Sequence, residues 1–135
     1  EWAEQCVVVD AFAVRHPEWA DVLIHIPNGG SRRNAFEGWR LKRQGTKPGV
    51  SDLLLPVPRG RFHGLWVEFK ATPPYAARVT ADQRRWLQRM LALGYQAQVC
   101  RGPDAALAAL DAYLVLSDPP REAAPVSCRI QGGQP

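Results

Sequence analysis

Long apolar runs are missing from this chain. No stretch approaches the roughly 20 residues that span a bilayer, and the start carries no basic stretch leading into an apolar segment and a small-residue cleavage site. These absences argue against a membrane-spanning helix and a classical export signal, and they set the expectation of a cytoplasmic protein. The chain opens on Glu1 rather than Met, so an address signal further upstream would go unseen. Cysteine is scarce as well: Cys6, Cys100 and Cys128 form no CxxC and have no Cys or His partner at zinc-ligand spacing. A disulfide framework and a structural zinc site are therefore not expected. Cys6 in an apolar helix and Cys100 at the end of a strand read as small buried hydrophobes.

Net charge is also modest, +4 from 17 basic and 13 acidic residues, too little to imply nucleic acid by its sum. Its placement is more informative. Between Ser31 and Arg61 lie Arg32, Arg33, Arg40, Lys42, Arg43, Lys47, Arg59 and Arg61, opposed by Glu37 and Asp52 alone. A local field of that sign suits a phosphate backbone, although a solvated helix face flanked by basic loops would give the same pattern.

With 135 residues, 46% of them hydrophobic, the chain has material for one core and one domain. Residues 2–15 lack Gly and Pro and space Cys6, Val8, Val9, Phe12 and Ala13 as a helix does. Val22–Ile26 reads as a strand stopped by Pro27-Asn28-Gly29-Gly30. Ser31 can cap a basic helix over 32–44, ended by Gly45. Residues 51–57 and 64–70 read as two strands joined by a hairpin loop. Residues 80–93 form the clearest helix, with an apolar stripe of Trp86, Leu87, Met90 and Leu91. A strand over 95–100 and a helix from Pro103 to about residue 116 follow. The order α, β, α, β, β, α, β, α predicts an α/β fold with a mixed central sheet flanked by helices. Residues 1–116 would be the domain, and 117–135, rich in Pro and Gly, a tail without fixed structure. No internal repeat is present.

The chemistry gathers at Trp66-Val67-Glu68-Phe69-Lys70. The two-residue period of a strand sets Trp66, Glu68 and Lys70 on one face and Val67 and Phe69 on the other. Alone, such an ExK pair commonly means an exposed ion pair. Asp52 changes its weight. A hairpin folded symmetrically about Gly60 sets Asp52 opposite Glu68, and like charges so close are unfavourable unless something neutralises them. Hard carboxylate oxygens that leave room for water and a phosphate oxygen suit Mg²⁺. A one-residue slip of register would separate the two acids onto opposite faces.

On this reading Asp52 and Glu68 hold a divalent ion, with the carbonyl oxygen of Phe69 as a further ligand. Such an ion acidifies water and shields phosphate charge. Lys70 orients the attacking water and stabilises developing negative charge. No histidine is evidently placed to protonate the leaving group; His16, His25 and His63 read as structural or exposed, with His63 in a loop that could touch nucleic acid. Among the tryptophans, Trp66 shares the reactive face, whereas Trp2, Trp19, Trp39 and Trp86 read as core or interface more readily than as base-stacking groups.

Several linked motifs, in order, resemble the stand-alone VRR-NUC domains of the PD-(D/E)xK nuclease superfamily. They are Asn28-Gly29-Gly30-Ser31-Arg32-Arg33, residues 41–53 (Leu-Lys-Arg-Gln-Gly-Thr-Lys-Pro-Gly-Val-Ser-Asp-Leu), Leu65-Trp66-Val67-Glu68-Phe69-Lys70, Thr80-Ala81-Asp82-Gln83, and Gly94-Tyr95. The resemblance covers about residues 1–114. It implies a restriction-endonuclease-like core, Mg²⁺ or Mn²⁺ dependence, and DNA cleavage by a phage or bacterial homodimer that cuts branched DNA such as Holliday junctions. It also implies an acidic first-helix residue near the metal, matching Glu1 with Gln5 four residues on; Glu4 is the alternative. Gln83 matches an active-site Gln, while Thr80-x-x-Gln83 is equally a capping box. Asn28, Arg32, Arg33, Arg40, Lys42, Arg43 and Lys47 are the expected nucleic-acid contacts. The chain departs from the commoner pattern at Ser51, often Pro, and at Phe69, often Leu; neither removes a charged group.

The leading expectation is thus a metal-dependent endonuclease acting on branched DNA as a homodimer. A non-catalytic nucleic-acid-binding module on the same fold, serving a replication or repair assembly, is the alternative. RNA as substrate stays open, because backbone charge is common to both nucleic acids.

Overall fold

The computed structural model describes residues 1–27 and 35–120. Helix α1 (Trp2–Arg15) is followed by a single 3-10 turn at Pro17–Trp19 that the sequence pattern does not announce. Strand β1 (Ile24–His25), helix α2 (Ala35–Arg43), strands β2 (Leu53–Leu55) and β3 (Leu65–Lys70), helix α3 (Ala81–Ala92), strand β4 (Gln96–Arg101) and helix α4 (Pro103–Leu114) complete the order. Apart from that turn, the order is the expected one. The strands are shorter than expected at β1 and β2, where Pro27 and Pro56 deny the ladder its donors.

The four strands form one mixed sheet in the order β1-β2-β3-β4. Strands β1, β2 and β3 pair antiparallel, and β3 pairs parallel with β4. The chain passes from β3 to β4 through α3, the kind of crossover that parallel neighbours require. Leu53 pairs with Val67 and Leu55 with Leu65, which is the register of a hairpin symmetric about Gly60.

Helices lie on both faces, so β3 is buried along its whole length. Leu65, Val67 and Phe69 point to one side, into a core with Leu53, Leu55, Val8 and Phe12 of α1, and Leu107, Leu110 and Tyr113 of α4. Removing any one of these apolar side chains from water stabilises the fold by about 1.5–3 kcal/mol. On the other face Trp66 meets Trp86 of α3 edge-to-face at 5.3 Å, with Tyr95 at 6.3 Å.

Several sequence expectations change here. Cys6 is exposed, because the buried side of α1 is set by Val8 and Phe12 and Cys6 falls off that stripe; Cys100 is buried as expected. Leu91 is half exposed, and only Leu87 and Met90 of α3 are fully buried. Trp2 and Trp39 are exposed rather than core.

Arg59, grouped above with the basic cluster, is structural. Its guanidinium lies 5.4 Å from the Trp19 ring, donates to the Leu114 carbonyl at 3.2 Å and pairs with Asp118 at 3.1 Å. The Gly60 N–H also donates to the Ser117 carbonyl, so the first residues after α4 hold the hairpin loop. His63 packs beside Gly94 and Tyr95. The rest of the expected tail, from residue 121 on, and Cys128 within it, lie outside the described residues.

Candidate active site

Asp52 sits just before β2 and directly across from Glu68, the position the hairpin symmetry requires. Its Oδ2 accepts the backbone N–H of Phe69 at 2.9 Å, fixing the carboxylate against β3. Its own carbonyl accepts the N–H of Ile26 at 2.8 Å, tying the residue to the end of β1.

Glu68 is fully buried and Lys70 is 5% exposed. The Lys70 ammonium lies 2.9 Å from Glu68 Oε1. That same oxygen accepts the side-chain amide of Gln83 at the start of α3. Gln83 serves two ends at once. Its Oε1 accepts the Thr80 N–H at 2.8 Å while its backbone N–H donates to the Thr80 hydroxyl, so the capping box is present and also aims the amide at Glu68. The two readings of this residue are not exclusive.

Glu68 Oε2 is buried without a hydrogen-bond partner. A buried carboxylate oxygen so placed is costly unless a further group neutralises it. Burial pushes the Glu68 carboxyl above its usual range; the bond from Lys70 pulls it back, and the negative charge of Asp52 adds to the rise. Burial likewise raises Asp52, opposed by the Phe69 N–H and by Lys70 and reinforced by Glu1. Two carboxyls raised together, each chiefly by burial, with Asp52 adding to the rise at Glu68 and Glu1 to the rise at Asp52, form a site that favours positive charge.

The first-helix acids separate cleanly. Glu1 Oε2 accepts the Ala71 N–H at 3.4 Å, one residue beyond Lys70. Glu4 is committed to Thr72, whose hydroxyl bonds Oε1 at 2.5 Å and lowers the Glu4 carboxyl. Of the two, Glu1 is the one whose charge acts on Asp52.

His25 was not among the site residues that sequence reasoning selected. Its Nδ1 lies 3.0 Å from the Asp52 carbonyl oxygen and 2.8 Å from Gln5 Nε2, so the ring links α1 to the site. The pairing of β1 with β2 brings it there.

Glycine 49 positions the loop between α2 and β2. With φ of 76°, its Cα packs so closely on the start of α3 that a Cβ would stand 2.3 Å from the Asp82 carbonyl carbon. That contact seats the loop leading to Ser51 and Asp52 on the start of α3. Arg40, Lys42, Arg43 and Lys47 are exposed on α2 and this loop. The expected contacts Asn28, Arg32 and Arg33 lie outside the described residues.

Among the described residues no three His, Cys, Asp or Glu side chains converge as a ready metal site. The oxygen donors facing one another are the carboxylates of Asp52 and Glu68, with Glu1 nearby. A hard divalent cation, which retains several waters and needs few protein ligands, fits that set and the unpartnered Glu68 oxygen.

The family model of the VRR-NUC domain matches residues 9–104. This chain belongs to the VRR-NUC family. A solved structure described as "VRR_NUC domain protein" is similar to it with a TM-score of 0.76 and 27% sequence identity, over 88% of this chain and 91% of that one. A search of curated proteins finds no match. VRR-NUC is a nuclease-type domain, and the Asp52, Glu68 and Lys70 cluster falls within the matched span. No helix among the described residues is long and apolar enough to cross a membrane.

Proposed function

We propose that this chain is a metal-dependent DNA endonuclease that hydrolyses phosphodiester bonds and prefers branched DNA. The observation that carries this reading is the buried Glu68 carboxylate, with one oxygen shared by Lys70 and Gln83 and the other unpartnered, set against Asp52. An exposed structural ion pair would have neither the burial nor the second acid.

Asp52 and Glu68 would hold Mg²⁺ or Mn²⁺, with the Phe69 carbonyl and Glu1 as further oxygen donors. When bound, such an ion supplies acidified water and charge shielding at the phosphate. Lys70 orients the water that attacks phosphorus and stabilises the negative charge that builds on the non-bridging oxygens. As the water oxygen bonds to phosphorus its proton passes to solvent, the bond from phosphorus to the departing sugar oxygen breaks, and that oxygen takes a proton from solvent. Gln83 holds Glu68 in one orientation throughout. Cutting a symmetric junction needs two incisions, which favours a homodimer with one site per copy.

The test is incubation of end-labelled four-way junction, linear duplex, single-stranded DNA and RNA with Mg²⁺, Mn²⁺ or EDTA. Metal-dependent, paired cuts in the junction support the whole reading. Binding without product in any metal would contradict it and favour the non-catalytic module. Product from RNA alone would overturn the choice of nucleic acid.

A further inference from the structure

Helix α2 has no substantial packing partner among the other helices and strands described. A nine-residue helix is marginal in water by itself. Yet α2 exposes two large aromatic side chains, Phe36 at 68% and Trp39 at 53%. Their rings are stacked, with centroids 5.9 Å apart and planes inclined by 27°. The Arg43 guanidinium lies 5.1 Å from the Trp39 ring, and Arg40 and Lys42 share the same last turn.

Aromatic faces interleaved with cations are what a single strand of nucleic acid binds: bases stack on the rings and phosphates meet the charges. A second copy of this chain would bring the same positive charges against themselves, so charge complementarity favours DNA over self-association here. The helix is also joined to the active site by a short, braced path. After Arg43 the loop passes Lys47 and then Gly49, which is wedged against the start of α3. Pro48 lines a groove of about 530 Å³ together with Asp82, Arg85, Trp86 and Arg89 of α3; Asp82 pairs with Arg85 there, and Arg89 adds a positive charge.

We propose that the Phe36 and Trp39 face of α2 is a stacking platform for unpaired bases of the DNA substrate, with Arg40, Lys42 and Arg43 holding its phosphates. This rests on the nuclease reading and deepens it: the preferred substrate presents unpaired nucleotides beside the scissile phosphate, as a branch point or flap does.

The experiment is fluorescence anisotropy in EDTA, which separates binding from cleavage, with a labelled single strand, a flapped duplex and a blunt duplex. Trp39→Ala is expected to weaken binding of the single strand and the flap about tenfold or more, the scale of one lost base stack. Blunt-duplex binding should change less than about twofold, because stacking needs an unpaired base. Trp39→Phe should retain most of the affinity. Circular dichroism and sedimentation of each variant accompany the titrations.

Unchanged affinity of Trp39→Ala for all three DNAs, or equal loss on all three, overturns the platform. A variant that is folded but turns from dimer to monomer overturns it in favour of a second copy as the occupant. If the wild type binds none of the three DNAs, the nuclease reading itself falls first.

Discussion

The Lys70 ammonium and Glu68 Oε1 stand 2.9 Å apart inside the protein, with the lysine 5% exposed and the glutamate fully buried. This depth alters what a substitution can teach. In a surface pair, Lys70→Ala would remove one charge at little structural cost. Here it leaves the Glu68 carboxylate buried without its cation and opens a void, so lost activity could follow from lost structure. Lys70→Met keeps the length of the side chain and isolates the charge, at a cost that for broken buried pairs runs to about 3–5 kcal/mol. Proton uptake by Glu68 moderates that cost, so the variant should be closest to wild-type stability in mild acid.

Gln83 joins a helix cap to a carboxylate, and the two roles can be separated. Thr80→Ala removes the hydroxyl acceptor of the cap and should lower stability by about 1 kcal/mol, with kcat nearly unchanged. Gln83→Ala should lower stability by a similar amount and reduce kcat at least tenfold, because Glu68 loses the amide that orients it. Chemical denaturation and steady-state kinetics on the same samples check this; equal kinetic loss in both variants would reduce Gln83 to a cap.

Gly49 and Gly45 both have positive φ, but only Gly49 is pressed on a neighbour. At Gly45 a Cβ meets nothing within 4 Å, whereas at Gly49 it meets the Asp82 carbonyl carbon at 2.3 Å. Gly45→Ala should therefore cost about 1 kcal/mol of backbone strain and keep activity. Gly49→Ala should cost more than that and depress cleavage, since it forces the loop before Asp52 off the start of α3. Thermal melts with matched cleavage rates distinguish the two.

Asp52 has its carboxyl raised, with burial as the leading cause. A folded-state value above the unfolded one means a contribution to stability that is full below the unfolded pKa and is lost as pH rises through the folded value. Asp52→Asn retains an acceptor for the Phe69 N–H and removes that loss. The metal-free variant should then exceed wild type in stability at pH 8, by a margin that solvent screening of this part-exposed carboxyl keeps small, and converge with it near pH 4, while losing cleavage. Melting curves in EDTA across that pH range would refute this if the variant were less stable at pH 8. Adding Mg²⁺ should narrow the gap by stabilising wild type alone.

Much of the site was legible because its determinants are local. The hairpin loop around Gly60 sets the register, the strand period sets Glu68 beside Lys70, and Thr80 with Gln83 announces the start of α3. Depth was not legible, since the same ExK pattern serves an exposed pair until α3 covers that face. His25 was missed because β1 is two residues long and only its pairing with β2 brings the ring to Asp52. The choice between Glu1 and Glu4, one helical turn apart, depended on where Ala71 and Thr72 leave β3. Trp39 was legible only as core or interface, since an apolar ring on a helix reads as either, and the lack of a packing partner for α2 leaves it at the surface.

The most direct test of the account is the cleavage rate of a labelled four-way junction by wild type and Lys70→Met, each in Mg²⁺, Mn²⁺ and EDTA. Both proteins are first checked for folding by circular dichroism and for junction binding in EDTA. Wild type should cleave in either metal and not in EDTA, with at least a hundredfold loss in folded, junction-binding Lys70→Met. Cleavage that persists in EDTA, or a Lys70→Met rate within a few-fold of wild type, would contradict the account.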